Sequence, residues 1–123
     1  MSILITGSAG FIGYHTTLKY LKIYKKKKII GIDNINNYYD TKLKTKRLRI
    51  LKKYKNFKFY KINLENYKIL EKIFRNNNIK LVINLAAQAG VRHSIKQPRD
   101  YVNSNLIDFF KIIDLSKKYK IEK

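Results

Sequence analysis

Short apolar runs alternate with stretches of helical periodicity along the chain. Runs of mainly apolar residues occupy positions 3–5, 29–32 and 81–85, the last of which is interrupted by Asn84, and an alternating segment covers residues 57–62. Between these predicted strands, apolar side chains recur at helical spacing in residues 11–24, 41–54 and 67–76, and a last helix is predicted from about residue 99 to residue 118. The side chains expected to face the core from these four helices are Ile12, Leu18 and Leu21, then Leu43, Leu48 and Leu51, then Leu70, Ile73 and Phe74, and finally Phe109, Ile112 and Ile113.

Apolar strands separated by helices are typical of a parallel sheet that is covered on both faces. Right-handed crossovers limit the possible topologies, and the predicted α/β fold is a Rossmann-type doubly wound sheet with strand order 3-2-1-4. We expect residues 1–123 to form part of such a domain, with the sheet truncated after about four strands, before a fifth strand and a substrate domain. The ligand crevice is expected between strands 1 and 4, where the winding reverses.

The segment TGSAGFIG, residues 6–13, follows the first predicted strand directly. Gly7 would permit the tight turn, Gly10 would let the backbone approach a pyrophosphate, and Gly13 would let the next helix pack closely. The helix N-terminus would then offer free N–H groups and a favourable dipole to an anion. This arrangement predicts a dinucleotide site, with an ordinary flexible turn as the alternative.

Asp33 ends the second predicted strand, about 20 residues beyond the glycine-rich segment. A carboxylate at this position can accept hydrogen bonds from the adenosine ribose and would repel a 2′-phosphate. The expected cofactor is therefore NAD rather than NADP. A cap on the following turn is the simpler alternative role for this acid.

The net charge of +20 adds one competing interpretation, a basic nucleic-acid-binding protein. The lysines are spread along the chain, however, and the abundant Lys, Ile, Asn and Tyr all have A/T-rich codons, so we expect codon bias to explain the charge. The chain has no cysteine, and no apolar run approaches the roughly 20 residues that span a bilayer. We expect a cytoplasmic protein with no membrane partner and no metal site, since His15 and His93 form no ligand cluster.

Three motifs of the chain carry a resemblance to a known family. The first motif is the glycine-rich segment. The others are GIDNINNYYD at residues 31–40, with Leu43 and Lys44, and LAAQAGVR at residues 85–92, with Ser94, Pro98, Tyr101 and Asn105. Together they make the chain resemble the extended short-chain dehydrogenase/reductase family. Within that family, it resembles the nucleotide-sugar epimerases, and the UDP-glucuronate 4-epimerase group in particular. The resemblance covers the whole chain but only about the first third of a typical family member.

The resemblance implies contacts with NAD and with a UDP-sugar substrate. Gly7, Gly10, Phe11, Ile12 and Gly13 would form the pyrophosphate loop. The remaining cofactor positions would be Asp33 and Asn34 at the adenosine ribose, Leu64 beside the adenine, Leu85, Ala86, Ala87 and Gln88 beneath the nicotinamide ribose, and Asn105 in support. Arg92 and Ser94 would reach toward the sugar nucleotide, although a structural role is equally open for Arg92.

The chain also departs from the family pattern at four positions, which are Asn63, Asn84, His93 and Asp108. The family's transient oxidation uses a Tyr-x-x-x-Lys pair that follows a fifth strand, so we assign no catalytic residue in this chain. The leading hypothesis is the NAD-binding part of a nucleotide-sugar epimerase that is inactive alone and, at full length, homodimeric. A stand-alone or vestigial dinucleotide-binding module is the main alternative.

Overall fold

The computed structural model describes residues 1–38 and 40–123, so Tyr39 of the second motif lies outside the described residues. The strands are β1 (Ser2–Thr6), β2 (Lys28–Asp33), β3 (Phe57–Lys61) and β4 (Ile79–Asn84). The helices are α1 (Phe11–Ile23), α2 (Thr41–Leu51), α3 (Tyr67–Asn76), α4 (Val91–Lys96), α5 (Pro98–Val102), a π-helical turn (Asn103–Ile107) and α6 (Asp108–Lys118).

The strands form one parallel sheet in the order β3-β2-β1-β4, which confirms the predicted topology. In the central strand, Ile5 lies opposite Gly31 of β2 on one side and Ile83 of β4 on the other. All four carboxyl ends therefore lie at one edge of the sheet. This edge collects the glycine-rich segment, Asp33 and the LAAQ segment, which are far apart in sequence.

Two apolar layers cover the sheet, because alternate side chains of the buried strands point to opposite faces. Leu4 and Ile30 belong to the layer that contains α3 and α6, together with Leu70, Phe74, Ile112 and Leu115. Ile3 and Ile29 belong to the layer that contains α1 and α2, together with Leu21, Leu48 and Leu51. The continuous apolar runs in the sequence thus reflect burial on both faces.

The predicted inward face of the last helix was partly wrong. Phe109 and Ile113 are 44% and 48% exposed, and the buried face carries Asp108, Ile112 and Leu115 instead. Positions 109 and 113 each follow a buried residue. Because successive residues of an α-helix are rotated by about 100° around its axis, Phe109 and Ile113 point away from the buried face. The α4 segment and the π-helical turn were not predicted.

Two further apolar side chains expected in the core are exposed. Ile12 is 66% exposed because α1 turns Gly13, Thr17 and Leu21 toward the sheet. Leu43 is 48% exposed, beside the buried Lys44 of α2. Within residues 1–38 and 40–123, no helix has the length and apolar character needed to cross a membrane.

Candidate functional site

Two glycines fix how the turn after β1 packs. Gly7 has a φ of +66°, and a Cβ there would lie 2.8 Å from the backbone carbonyl carbon of Leu85. A Cβ on Gly13 would lie only 1.9 Å from the carbonyl oxygen of Gly7. The turn is therefore clamped between the first turn of α1 and the segment after β4, and neither contact leaves room for a side chain.

Gly10 stands in more open space. A Cβ on Gly10 would meet a single neighbouring atom within 4 Å, the Gly7 carbonyl oxygen at 3.2 Å, and the residue lines a cavity. Helix α1 begins at the next residue, and in the described part of the chain no side chain caps its first turn. Uncapped N–H groups at a helix N-terminus suit an anionic group such as a pyrophosphate.

The Asp33 carboxylate is joined to the glycine-rich segment by a hydrogen bond. Its Oδ2 accepts from the Ala9 backbone N–H at 3.0 Å, and its Oδ1 accepts from the Ile35 N–H at 2.8 Å. The Ser8 N–H donates to the Ile32 carbonyl at 3.1 Å. The turn after β1 and the end of β2 are thereby held as one unit. Each carboxylate oxygen has a second lone pair that could accept a ligand hydroxyl.

A cavity of about 330 Å³ opens at this edge of the sheet. Ten of the predicted cofactor residues line it, namely Gly7, Gly10, Phe11, Asp33, Asn34, Leu64, Leu85, Ala86, Ala87 and Gln88. The cavity runs from the end of β3, past Asp33 and the glycine-rich turn, to the segment after β4. The lining therefore includes ten of the thirteen residues to which a cofactor contact was assigned, and the contacts themselves stay predictions.

The remaining predicted residues lie around the cavity rather than on its surface. Ile12 is exposed, and Gly13 is buried beneath the turn. Arg92 is exposed on α4, and the Ser94 hydroxyl donates to the Val91 carbonyl at 2.6 Å within the same helix. The sugar-nucleotide roles of Arg92 and Ser94 stay predictions.

Asn105 holds the Gln88 backbone by two hydrogen bonds. The Gln88 N–H donates to Asn105 Oδ1 at 2.8 Å, and Asn105 Nδ2 donates to the Gln88 carbonyl at 3.0 Å. Asn105 lies in the π-helical turn between α5 and α6. Its support of the LAAQ segment is indirect, because it fixes the backbone and does not line the cavity.

All four departures from the family pattern have polar partners, since Asn63 Oδ1 accepts from the Glu65 N–H at 3.3 Å and His93 Nε2 lies 3.0 Å from Asp100 Oδ2. Asn84 Oδ1 accepts from the Thr6 hydroxyl at 2.5 Å, and that hydroxyl oxygen accepts from the Leu85 and Ala86 N–H groups at 3.1 Å each. The buried Asp108 pairs with Lys111 at 3.0 Å. Asn84 thus helps to fasten the end of β4 to the end of β1.

Residues between 36 and 47 form a further part of the cavity wall that the motifs did not predict. Asn36, Tyr38, Asp40, Leu43, Lys44 and Arg47 all line the cavity. Arg47 Nη1 donates to the Ala9 carbonyl at 3.2 Å, and its guanidinium lies 5.7 Å from the centre of the Phe11 ring. The sequence feature that could have indicated this wall is the three-residue spacing of Lys44 and Arg47, which places both on one side of the helix that follows Asp33.

Residues 4–123 match the family described as GDP-mannose 4,6 dehydratase. The chain is 48% identical over 122 residues to Protein CapI of Staphylococcus aureus and 44% identical over 120 residues to the UDP-glucuronate 4-epimerase of Thermodesulfobacterium geofontis. The alignments cover 99% and 98% of this chain but 36% of each relative.

A solved structure of UDP-glucuronic acid 4-epimerase from Bacillus cereus, in complex with UDP-glucuronic acid and NAD, matches the fold with a TM-score of 0.86 at 33% identity. That match covers 95% of this chain and 36% of the solved one. These findings confirm the resemblance that the three motifs indicated. The chain belongs to the GDP-mannose 4,6 dehydratase family and corresponds to the N-terminal region of its epimerases and dehydratases.

Proposed function

We propose that this chain binds NAD and forms the cofactor-binding region of a nucleotide-sugar 4-epimerase that acts on UDP-glucuronate. The observation that carries the proposal is the 3.0 Å hydrogen bond from the Ala9 N–H to Asp33 Oδ2, inside a cavity of about 330 Å³. This bond holds the pyrophosphate cradle and the ribose acceptor at a fixed separation. Pre-organised groups of this kind bind a ligand with less ordering cost.

The described residues suit the chemistry of NAD from one end of the cavity to the other. Gly10 and the first turn of α1 would hold the pyrophosphate, and Asp33 and Asn34 would accept the adenosine ribose hydroxyls. Leu64, which is 8% exposed, would border the adenine. Residues 85–88 would lie beneath the nicotinamide ribose, with Asn105 holding their backbone.

When bound, NAD supplies the hydride acceptor for a transient oxidation of the sugar. The part we assign to this chain is to bind and orient the cofactor. The proposed preference for NAD over NADP rests on the Asp33 carboxylate, because a 2′-phosphate placed beside it would bring negative charges together.

The substrate assignment draws on the relatives, whose names specify UDP-glucuronate 4-epimerases. Since this chain spans 36% of their length, we place the proton-transferring Tyr-x-x-x-Lys pair of the whole enzyme outside these 123 residues. Arg92 and Ser94 are proposed to approach the sugar nucleotide. We further propose that the whole enzyme is a cytoplasmic homodimer.

Isothermal titration calorimetry of NAD into the 123-residue chain tests the proposal. We expect saturable binding, and we expect Asp33→Asn to weaken it by about 10- to 100-fold, because hydrogen bonds to a charged group contribute about 1.5–3 kcal/mol. Asp114→Asn is the matched control. Asp114 lies on α6, accepts a hydrogen bond from the Tyr67 hydroxyl, and is not among the residues that line the cavity. Absence of NAD binding at millimolar concentration would overturn the proposal.

A mixture of the same chain with NAD and UDP-glucuronate tests whether cofactor binding and proton transfer belong to different parts of the enzyme. We expect no conversion to the 4-epimer, because the proton-transferring pair is assigned to another part of the enzyme. Turnover by the purified 123-residue chain would refute that assignment.

A further inference from the structure

Lys44 is buried in a helix whose other lysines face solvent. It is 7% exposed, whereas Lys42 and Lys46 of the same helix are exposed. Removing an ammonium group from water is costly unless it is paired, and lysines are rarely this buried without a partner. The position of Lys44 therefore needs an electrostatic explanation.

The Lys44 ammonium contacts the side chain of Asp33, the last residue of β2, and that of Asn36, which lies three residues further on. It donates to Asn36 Oδ1 at 3.1 Å and lies 3.6 Å from Asp33 Oδ1. Both charged side chains of this ion pair are at most 9% exposed, so solvent screens their attraction less than at a surface. The same three residues line the cavity.

The contact with Asp33 bears directly on the ribose site. A carboxylate accepts hydrogen bonds through the lone pairs of its two oxygens, and an ammonium group close to one of these oxygens restrains how the carboxylate is oriented. Lys44 approaches the oxygen that also accepts the Ile35 N–H, while the other oxygen is fixed by the Ala9 N–H. The carboxylate is thereby held on both sides.

We infer that Lys44 is a positioning residue of the adenosine-ribose site and that it orients the side chains of Asp33 and Asn36 in the cavity wall. The inference rests on the proposed NAD binding. Lys44 acts through Asp33, so its contribution should disappear when the Asp33 charge is removed.

A double-mutant cycle on NAD affinity tests this role. The variants are Lys44→Met, Asp33→Asn and the double variant, with Lys46→Met as a control that removes one exposed lysine from the same helix. Each NAD dissociation constant is measured by titration calorimetry, and each melting temperature by circular dichroism. Should Lys44→Met fail to fold, Lys44→Gln, which keeps a donor for Asn36, replaces it in both arms of the cycle.

We expect Lys44→Met to weaken NAD binding about tenfold, Lys46→Met to leave it unchanged, and the double variant to bind no more weakly than Asp33→Asn. An unchanged affinity in Lys44→Met would overturn the inference. An equal loss in the wild-type and Asp33→Asn backgrounds would also overturn it, because Lys44 would then act independently of Asp33. Failure of the unmodified chain to bind NAD would instead count against the proposed function on which the inference rests.

Discussion

Replacing Gly13 with alanine tests whether α1 must pack directly on the turn after β1. Two opposing effects decide whether the substitution stabilises or destabilises the protein. Alanine is the better helix former by about 1 kcal/mol, so helix propensity alone predicts a more stable protein. The added Cβ, however, would lie 1.9 Å from the Gly7 carbonyl oxygen and 2.7 Å from its carbon.

The steric effect should dominate. To reach a separation of 3.0 Å, the Cβ and the Gly7 oxygen would have to move apart by about 1.1 Å, and the obstructing atom belongs to the backbone. Overpacking of this kind typically costs about 1–3 kcal/mol, and a backbone obstruction places the cost near 3 kcal/mol. After the gain in propensity, the net loss is about 2 kcal/mol, which corresponds to a fall in melting temperature of roughly 10 °C for a chain of this size.

Thermal unfolding followed by circular dichroism measures this loss, and Gly10→Ala provides the control. A Cβ on Gly10 would meet the same Gly7 oxygen at 3.2 Å, so that oxygen must yield by only a few tenths of an ångström. We expect Gly10→Ala to melt near the unmodified chain and yet to lose NAD affinity, because its Cβ would occupy the cavity surface. A melting temperature for Gly13→Ala equal to or above that of the unmodified chain would refute the packing argument.

Two other contacts give predictions of different kinds. Asn105→Ala removes both hydrogen bonds to the Gln88 backbone, which together contribute about 1–2 kcal/mol. Hydrogen exchange at the Gln88 amide should therefore accelerate roughly tenfold. Unchanged exchange would contradict the support of the Gln88 backbone by Asn105. The hydrogen bond from Lys118 lowers the pKa of Glu71 below its ordinary value of 4.5, so this ion pair stabilises the protein above pH 4.5 and the stabilisation is lost as pH falls through the folded-state pKa. Glu71→Gln should therefore reduce the acid slope of the unfolding free energy, and an identical slope in both proteins would contradict this.

The strand order could be predicted because apolar strands separated by helices are typical of a parallel sheet, and right-handed crossovers limit the order in which such strands can lie. Ile3 and Leu4 point to opposite faces, and both are buried, which produces a continuous apolar run. The last helix was harder, because a π-helical turn precedes α6 and two phenylalanines obscure the inward face. Only the structure shows that Ile112, and not the neighbouring Ile113, is buried.

The site could be predicted where backbone geometry demands a particular residue, and less well where side chains meet by tertiary packing. Gly7 directly follows β1 and Asp33 is the last residue of β2, which are positions where a dinucleotide-binding fold favours a glycine and an acid. Lys44 was not assigned a role, because the sequence of a chain with a net charge of +20 does not distinguish this buried lysine from the many exposed ones. Its contact with Asp33 forms only because tertiary packing brings α2 beside the end of β2.

An NMR titration with NAD is the most direct measurement of the central claim, because it reports which amides the cofactor affects. The account predicts saturable shifts at the glycine-rich segment, at Asp33 and Asn34, and at residues 85–88, with little change at the exposed Lys42 and Lys46 of α2. Shifts confined to the exposed lysines, or no shifts at millimolar NAD, would contradict the claim that this cavity is a cofactor site.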